Sequence, residues 1–305
     1  MTFRSGLVSV VGRPNTGKST LVNALAGEKV AITSSRPQTT RHVVRGVVHR
    51  DDGQVVFVDT PGLHKPRTLL GQRLNDDVRH ALADVDVIAI TLPADERVGP
   101  GDRFISAEAA KLKRAPKVAV ITKSDRVKPA QMVTHLAEVA DLANRSGFEW
   151  AEIIPVSAVT GEQLSLLVDL LIPLLPQGSG FFPTDQVTDE PELVRVGELI
   201  REAALEGVRD ELPHSIAVVV DELIPRVDRP VDRPLTDVRA TLFVERSSQK
   251  AIIIGRGGAR LREVGSDARR EIEALLGVAV YLDLRVKVAK DWQRDPKQMR
   301  RVGFS

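Results

Sequence analysis

Short β-branched runs alternate with segments whose apolar residues recur every three or four positions through residues 1–172. Leu7–Val11, Arg45–His49, Val55–Val58, Val85–Leu92, Lys117–Ile121 and Glu152–Val156 predict strands. The intervening periodicity predicts helices from Lys18, near Leu70–Leu82, near Gly101–Lys113, near Pro129–Ser146 and from Glu162. Strands alternating with helices predict an α/β fold with a mostly parallel sheet covered on both faces. In such sheets ligands sit at the carboxyl ends of the strands. Pro173 and Pro176 stop the last helix, and the Gly/Ser/Pro-rich stretch to Pro183 reads as part of a linker over residues 173–191. From residue 192 to 305 the order changes to helix (Glu192–Gly207), strand (Ser215–Leu223), polar loop (Pro225–Pro234), strand (Asp237–Glu245), two helices around a glycine cluster, and strand (Val278–Val288). This predicts a second, smaller α+β domain, with no internal repeat.

Composition narrows the class. The chain has 305 residues, 42% apolar but only 4% aromatic, so Val, Leu and Ile must fill the cores. It has no cysteine, which excludes disulfides, thiol catalysis and Cys-ligated metal sites and fits a reducing compartment. No apolar run approaches the ~18 residues of a membrane span. The first strand starts within a few residues of Met1, so we expect no signal peptide and a cytoplasmic protein. The net charge of +2 hides an asymmetry. Arg246 to Arg301 holds 14 Lys/Arg against 7 Asp/Glu, a local +7, which leaves about −5 for the rest. A basic end on an acidic chain points to nucleic acid or an anionic surface.

The candidate chemistry lies at strand ends. Gly12-Arg13-Pro14-Asn15-Thr16-Gly17-Lys18-Ser19, followed by Thr20, matches G-x-x-x-x-G-K-[ST] between a predicted strand and helix. Backbone N–H groups there can wrap phosphate oxygens, with Lys18 on the β/γ-phosphates and the Ser19 hydroxyl on Mg²⁺. Asp59-Thr60-Pro61-Gly62 ends another strand. Its Asp can hold Mg²⁺ through water and its Gly can approach a γ-phosphate, although Asp and Pro-Gly also favour an ordinary turn. Thr122-Lys123-Ser124-Asp125 ends a third. Asp125 can accept from the guanine N1–H and exocyclic amine, whereas adenine would leave that carboxylate facing an acceptor. Thr122 stands where Asn is usual and keeps only a hydroxyl. At Ser157-Ala158 a backbone N–H can reach the guanine carbonyl. In the polar loop Ser34–Arg41 a Thr can close over Mg²⁺ when a triphosphate is present.

In the basic segment, helix, Ile254-Gly255-Arg256-Gly257-Gly258 and helix form a G-x-x-G turn, with Arg260 and Leu261 following. The glycines admit a nucleic-acid backbone, and Ile252–Ile254, Leu261 and Val264 would floor a groove for about four single-stranded nucleotides, as in KH modules. A helix–helix turn capped by glycine is the competing reading.

Residues 1–172 resemble a translation-factor-class GTPase domain, and Gln38-Thr39-Thr40-Arg41-His42 with Asp59-Thr60-Pro61-Gly62-Leu63-His64 resembles the Era family. Val286–Trp292 is similar to the closing segment of that family's type II KH domain. The resemblance implies GTP, GDP and Mg²⁺ as ligands, Thr40 as a metal ligand, and hydrolysis to GDP and phosphate. It also implies binding of the 3′ end of 16S rRNA, a role in 30S assembly and rRNA maturation, a monomer, and peripheral contact with the inner face of the cell membrane. Leu63 follows D-x-x-G and cannot orient a water, so slow intrinsic turnover is expected. Asn15 resembles the K⁺ ligand of K⁺-stimulated GTPases; shaping of the loop is the other reading. Lys18, Asn15 and Thr40 are thus the catalytic candidates. Leu63 and Thr122 leave open an RNA chaperone in which nucleotide only sets conformation. Asp125 and the lack of a second motor domain count against an ATP-driven remodelling enzyme.

If Asn15 is a K⁺ ligand, replacing K⁺ by Na⁺ at equal ionic strength slows multiple-turnover hydrolysis. Asn15→Ala then turns over equally in both salts, as phosphate release will report.

Overall fold

The computed structural model describes residues 2–34, 39–61, 68–208, 212–227, 230 and 232–304. The chain divides into two compact units, Met1–Pro66 with Gly71–Glu190 and Arg67–Leu70 with Pro191–Ser305. The first contains β1 (Arg4–Val11), α1 (Lys18–Ala26), β2 (Val44–Arg50), β3 (Gly53–Asp59), α2 (Leu69–Ala83), β4 (Val87–Pro93), α3 (Pro100–Ala110), β5 (Lys117–Thr122), α4 (Pro129–Ser146), β6 (Trp150–Pro155) and α5 (Leu164–Leu171). They form a six-stranded sheet in the order β2-β3-β1-β4-β5-β6. Only β2, paired with β3, runs antiparallel.

The strands are apolar on both faces because each face is covered. Along β5, Val118 and Val120 join the core with Leu21 of α1 and Leu167 of α5. Ala119 and Ile121 join the opposite core with Ile105 of α3 and Val139 of α4. This period-two division explains why β5 is buried throughout. The helices start and stop on local signals. Pro100 opens α3, whose Asp102 carboxylate accepts the Gly99 N–H at 2.7 Å. Gly27 and Gly147 close α1 and α4 in the left-handed conformation, at φ 74° and 77°.

The stretch expected as a linker lies along the first unit up to residue 190. The Ser5 N–H donates to Pro176 O at 3.1 Å, and the Gly178 N–H to Phe3 O at 3.2 Å. The buried side chain of Gln54 accepts the N–H groups of Phe181 and Phe182 (2.7 and 3.1 Å) and donates to Phe182 O (2.8 Å). Farther on, the Val47 N–H donates to Val187 O at 2.8 Å and Arg45 pairs with Asp189 at 2.6 Å. These contacts cover β2, which is an edge of the sheet and would otherwise present unpaired backbone groups.

The second unit contains α6 (Glu192–Leu205), the short α7 (Leu212–Ser215), β7 (Ala217–Pro225), β8 (Leu235–Val244), α8 (Ser247–Ile254), α9 (Ala259–Leu276), β9 (Ala279–Val288) and α10 (Pro296–Arg301). Its sheet is ordered β7-β8-β9, antiparallel then parallel. Val196 and Ile200 of α6, Val264 and Ala268 of α9, and Val238 and Leu242 of β8 are fully buried. Trp292 is buried too, donates to Ser215 O at 2.9 Å and stacks on Phe304 at 5.4 Å. Two elements differ from expectation. Ser215 ends α7 instead of opening a strand, and α10 was not anticipated, although Asp295 accepts the Lys297 N–H at 2.8 Å ahead of Pro296, an ordinary start signal.

Gln54→Leu removes the partners of three backbone groups. We expect a loss of about 2–3 kcal/mol in first-unit stability by denaturant melt and earlier proteolytic cleavage within residues 177–190.

Candidate nucleotide pocket and nucleic-acid groove

The segments after β1, before β2 and after β5 surround a pocket of about 300 Å³, lined by Pro14, Asn15, Gly17, Lys18, Ser19, Thr20, Ile32, Thr33, Ser34, Thr39, Thr40, Lys123 and Arg126. The loop after β1 turns tightly. Asn15 and Gly17 have φ of 65° and 91°, and a Cβ on Gly12 would lie 2.1 Å from the Thr91 hydroxyl, so only glycine fits there. Lys18 is buried and its ammonium donates to Gly12 O (3.2 Å) and Arg13 O (2.8 Å). Burial lowers its pKa to about 8 despite the nearby Asp59 carboxylate, and Arg13 adds to the lowering. An anion in this loop would relieve that cost.

Three sequence-distant residues meet on one carboxylate oxygen. Ser19 Oγ donates to Asp59 Oδ2 at 2.6 Å and Thr40 Oγ1 to the same atom at 3.2 Å, with the hydroxyls 3.0 Å apart. The other oxygen, Asp59 Oδ1, is buried and has no hydrogen-bond partner among the described residues. Burial raises the Asp59 pKa, with Lys18, Ser19 and Thr40 opposing. Two hydroxyls and a carboxylate are hard oxygen donors, and the orphaned oxygen is one that a cation would satisfy. This donor set fits Mg²⁺, which takes one or two carboxylates together with phosphate oxygens.

At the β5 end, Thr122 Oγ1 donates to Thr16 O at 2.6 Å, so its hydroxyl ties this loop to the loop after β1. Asp125 is exposed and is oriented by buried Ser157, whose Oγ donates to Asp125 Oδ1 at 2.6 Å. The Ser157 N–H is already committed to Glu162 O at 3.1 Å, so Ala158 is left as the expected backbone donor. Ser124 donates from its backbone to Val156 O, which joins the third and fourth loops.

Other expected residues are placed differently. The Arg13 side chain is turned to Asp102 (2.7 Å) and Glu96 (3.0 Å), and a Cβ on Gly101 would lie 2.5 Å from its Cδ. The Thr16 hydroxyl faces Arg13 O and Thr91, and the buried Thr60 hydroxyl donates to Val10 O at 3.1 Å. These three side chains shape the loops, and only their backbones are available to a ligand. Pro61 is buried. Gln38, Gly62, Leu63 and His64 lie outside the described residues. Sequence reading missed Asp95 and Glu96, which follow β4. Asp95 lies 3.3 Å from both the Lys123 and Arg126 side chains, and Glu96 pairs with Arg13. No motif marks them, because their partners come from loops remote in sequence.

In the second unit Gly255, Gly257 and Gly258 all have positive φ, and a Cβ on Gly255 would lie 2.7 Å from the Arg260 Cβ. A groove of about 700 Å³ runs from Gly257 and Gly258 along Leu261, Arg262, Gly265, Ser266 and Arg269 of α9, facing Tyr281, Leu282 and Leu284 of β9. Ile254, Gly255 and Arg256 stand in or before the turn without lining it, Arg256 being exposed. Two expectations are corrected. Arg260 is not in the groove: its guanidinium donates to Glu206 O and pairs with Glu263 at 2.8 Å. Ile253 and Val264 are fully buried core, while Ile252 is exposed, so none of the three floors the groove. Arg262 and Arg269 supply its positive charge instead. The spacing 258, 261, 262, 265, 266, 269 puts one helical face on the groove and was available in the sequence.

Residues 7–123 match the family described as 50S ribosome-binding GTPase, and residues 211–293 the KH domain family. GTPase Era of Streptomyces coelicolor is 63% identical over 301 residues, covering 99% of this chain and 95% of that protein. GTPase Era of Mycobacterium avium is 62% identical over 303 residues, covering 99% of each. This chain belongs to the Era family. The structure of an Aquifex aeolicus Era variant bound to GDP and AlF4⁻ matches it with a TM-score of 0.92 at 37% identity, covering 99% of this chain and 100% of that one. Era in complex with MgGDPNP and nucleotides 1506–1542 of 16S ribosomal RNA matches equally well, with a TM-score of 0.92 and 99% of each chain covered. The two units therefore correspond to an Era GTPase fold and a KH fold.

Within this Era-family pocket, Thr122→Val keeps shape and removes the hydroxyl that holds Thr16 O. The loss of about 1 kcal/mol is expected as roughly fivefold weaker GDP and GTP binding by titration calorimetry. The guanine-over-adenine preference should be unchanged, because Asp125 and Ser157 are untouched.

Proposed function

We infer that this chain binds GTP with Mg²⁺ and hydrolyses it to GDP and phosphate. We further infer that it binds the 3′ end of 16S rRNA through its KH domain in assembly of the 30S subunit. The observation that carries the reading is the convergence of Ser19 and Thr40 on Asp59 across three separate motifs. In this reading Lys18 neutralises the β- and γ-phosphates, assisted by backbone N–H groups of Gly12–Thr20 and by Pro61-Gly62. Ser19, Thr40 and Asp59 hold the metal site. Bound Mg²⁺ would lessen the repulsion between the triphosphate and an incoming water. Thr40 belongs to the polar loop Ser34–Arg41 ahead of β2, and in this reading it closes over the metal when a triphosphate is present. Asp125, aimed by Ser157, reads the guanine N1–H and amine, Ala158 donates to its carbonyl, and the Lys123 stem packs beside the base with Thr122 and Ser124 setting the loop. With Leu63 after Asp59-Thr60-Pro61-Gly62, water positioning falls to other groups. Preorganised charge from Lys18, and a monovalent cation at Asn15, can supply part of what a glutamine or arginine would give elsewhere.

We read residues 1–172 as the GTPase domain, 173–191 as the connection and 192–305 as the type II KH domain. Its glycine turn and the Arg262/Arg269 wall suit a single RNA strand. The 30S role, a monomeric state and a cytoplasmic location follow the family. Among the described residues no helix is long and apolar enough to cross a membrane. Contact with the inner membrane face would be peripheral, and it rests on the family resemblance alone.

The base reading is tested by Asp125→Asn. An amide can donate to the carbonyl that xanthine carries in place of the guanine amine. Competition among GTP, ATP and XTP should move from GTP toward XTP, by about one to two orders of magnitude in relative affinity. GTP preference undiminished in the variant would remove Asp125 from the base site.

A further inference from the structure

Tyr281 is the chain's single tyrosine, and it is 55% exposed. It stands on β9, the free edge of the KH sheet. It also lines the groove, at the end remote from the glycine turn. α9 and β9 run in opposite directions: a Cβ on Gly265 would lie 3.7 Å from Leu284, and the Val280 N–H donates to Glu273 Oε1 at 3.0 Å. Tyr281 therefore falls near Arg269, eleven residues along α9 from Gly258. That is about 16 Å at 1.5 Å per residue.

The ring is held from one side. The Arg226 guanidinium lies 5.4 Å from its centroid, and Arg226 Nε donates to both oxygens of Asp237 at 2.8 and 2.9 Å. Asp237 is the register partner of Tyr281 on β8. The cation thus reaches the ring from the β8 side, and among the described residues no strand pairs with the other edge of β9. Packing does not require an aromatic residue so exposed, whereas a ring fixed on one face and open on the other is suited to stacking.

We propose that Tyr281, backed by Arg226, is a stacking platform for a nucleobase of single-stranded RNA at the far end of the groove. This rests on the reading of the groove as the RNA site. Every base has a π-face, so the platform accepts a base with little regard to its identity. Arg262 and Arg269 on the facing wall are placed for the phosphates on either side. The platform lengthens the strand recognised beyond the roughly four nucleotides that a glycine turn clamps.

The test uses the full-length protein, fluorescence anisotropy at fixed salt, and RNA oligonucleotides of four and of eight or more nucleotides from the 16S 3′ end. Tyr281→Leu should bind the long RNA about tenfold or more weakly and the four-nucleotide RNA as the parent does. Tyr281→Phe should match the parent on both. Emission of the Tyr281→Trp variant should be quenched by the long RNA and not by the short one. Since Tyr281 is exposed, melts should coincide with the parent. Parental affinity of Tyr281→Leu for the long RNA, or an equal loss at both lengths, overturns the platform. Gly257→Asp separates the two readings: its Cβ meets no atom within 4 Å, its φ of 58° calls for a melt beside the parent's, and the folded variant should lose both RNAs. If Gly257→Asp binds both RNAs normally, the groove is not the RNA site. If it loses both while Tyr281→Leu loses neither, only the platform fails.

Discussion

The buried Asp59 carboxylate is the interaction around which the first unit is organised. It ends β3, an interior strand of the sheet, where a buried charge is costly unless it is paired. Its Oδ2 is satisfied by hydroxyls from the first turn of α1 and the segment before β2, while Oδ1 has no hydrogen-bond partner among the described residues. A helix start and a loop are thereby held on one atom, and the residual cost is of the kind a cation removes. Lys18 carries the opposite problem nearby, a buried ammonium leaning on carbonyl oxygens. Each group is badly solvated in the protein alone, and together they describe the complement of a metal-bound polyphosphate. Binding energy is then available without rearranging the sheet that positions them.

Around this centre the loops are tied to one another rather than each to its own strand. Thr122 joins the β5 loop to the β1 loop, Ser157 joins the β6 loop to Asp125, and Asp95 with Glu96 bridges Lys123, Arg126 and Arg13. Individually these exposed or half-exposed ion pairs contribute little stability. Their value is geometric, because they restrict the separation between the phosphate end and the base end of the pocket. Arg13 shows this best: it occupies a phosphate-loop position, yet its side chain is committed to Asp102, which also caps α3.

The parallel sheet was legible because its strands are β-branched runs bounded by glycine, proline and aspartate, and the loop motifs were legible because each sits at one strand end. What escaped reading was non-local. Strand direction at β2 is not encoded in its periodicity. The stretch after Pro176 has linker composition, but its partners are Gln54 and the edge of β2, more than a hundred residues away. α10 is only six residues long, too short for a periodic signal, even though Asp295-Pro296 announces it. In the groove the error was one of angle. Arg260 and Arg262 are two residues apart, so about 200° of helical rotation separates them, and only one of them faces β9. Counting in threes and fours from Gly258 selects Arg262 and Arg269 and rejects Arg260. Arg260 is instead occupied at the end of α6.

In the function proposed, both sites must let phosphates approach the protein backbone closely, and they use glycine differently. In the nucleotide pocket, Gly12 is required by crowding, since a Cβ there would strike Thr91 and Thr16, so the loop is rigid and prepared for one ligand shape. In the KH turn, Gly257 and Gly258 have positive φ but open space around the missing Cβ. Their glycine character serves backbone conformation and access, not internal packing. A tight cradle discriminates a compact anion with its base, whereas an open turn followed by a long basic helical face accepts a strand by its length. The nucleotide site therefore gains selectivity from enclosure. The groove must gain it from contacts spaced along α9 and β9, which is why residues far from the glycine turn decide how much of a strand it can hold.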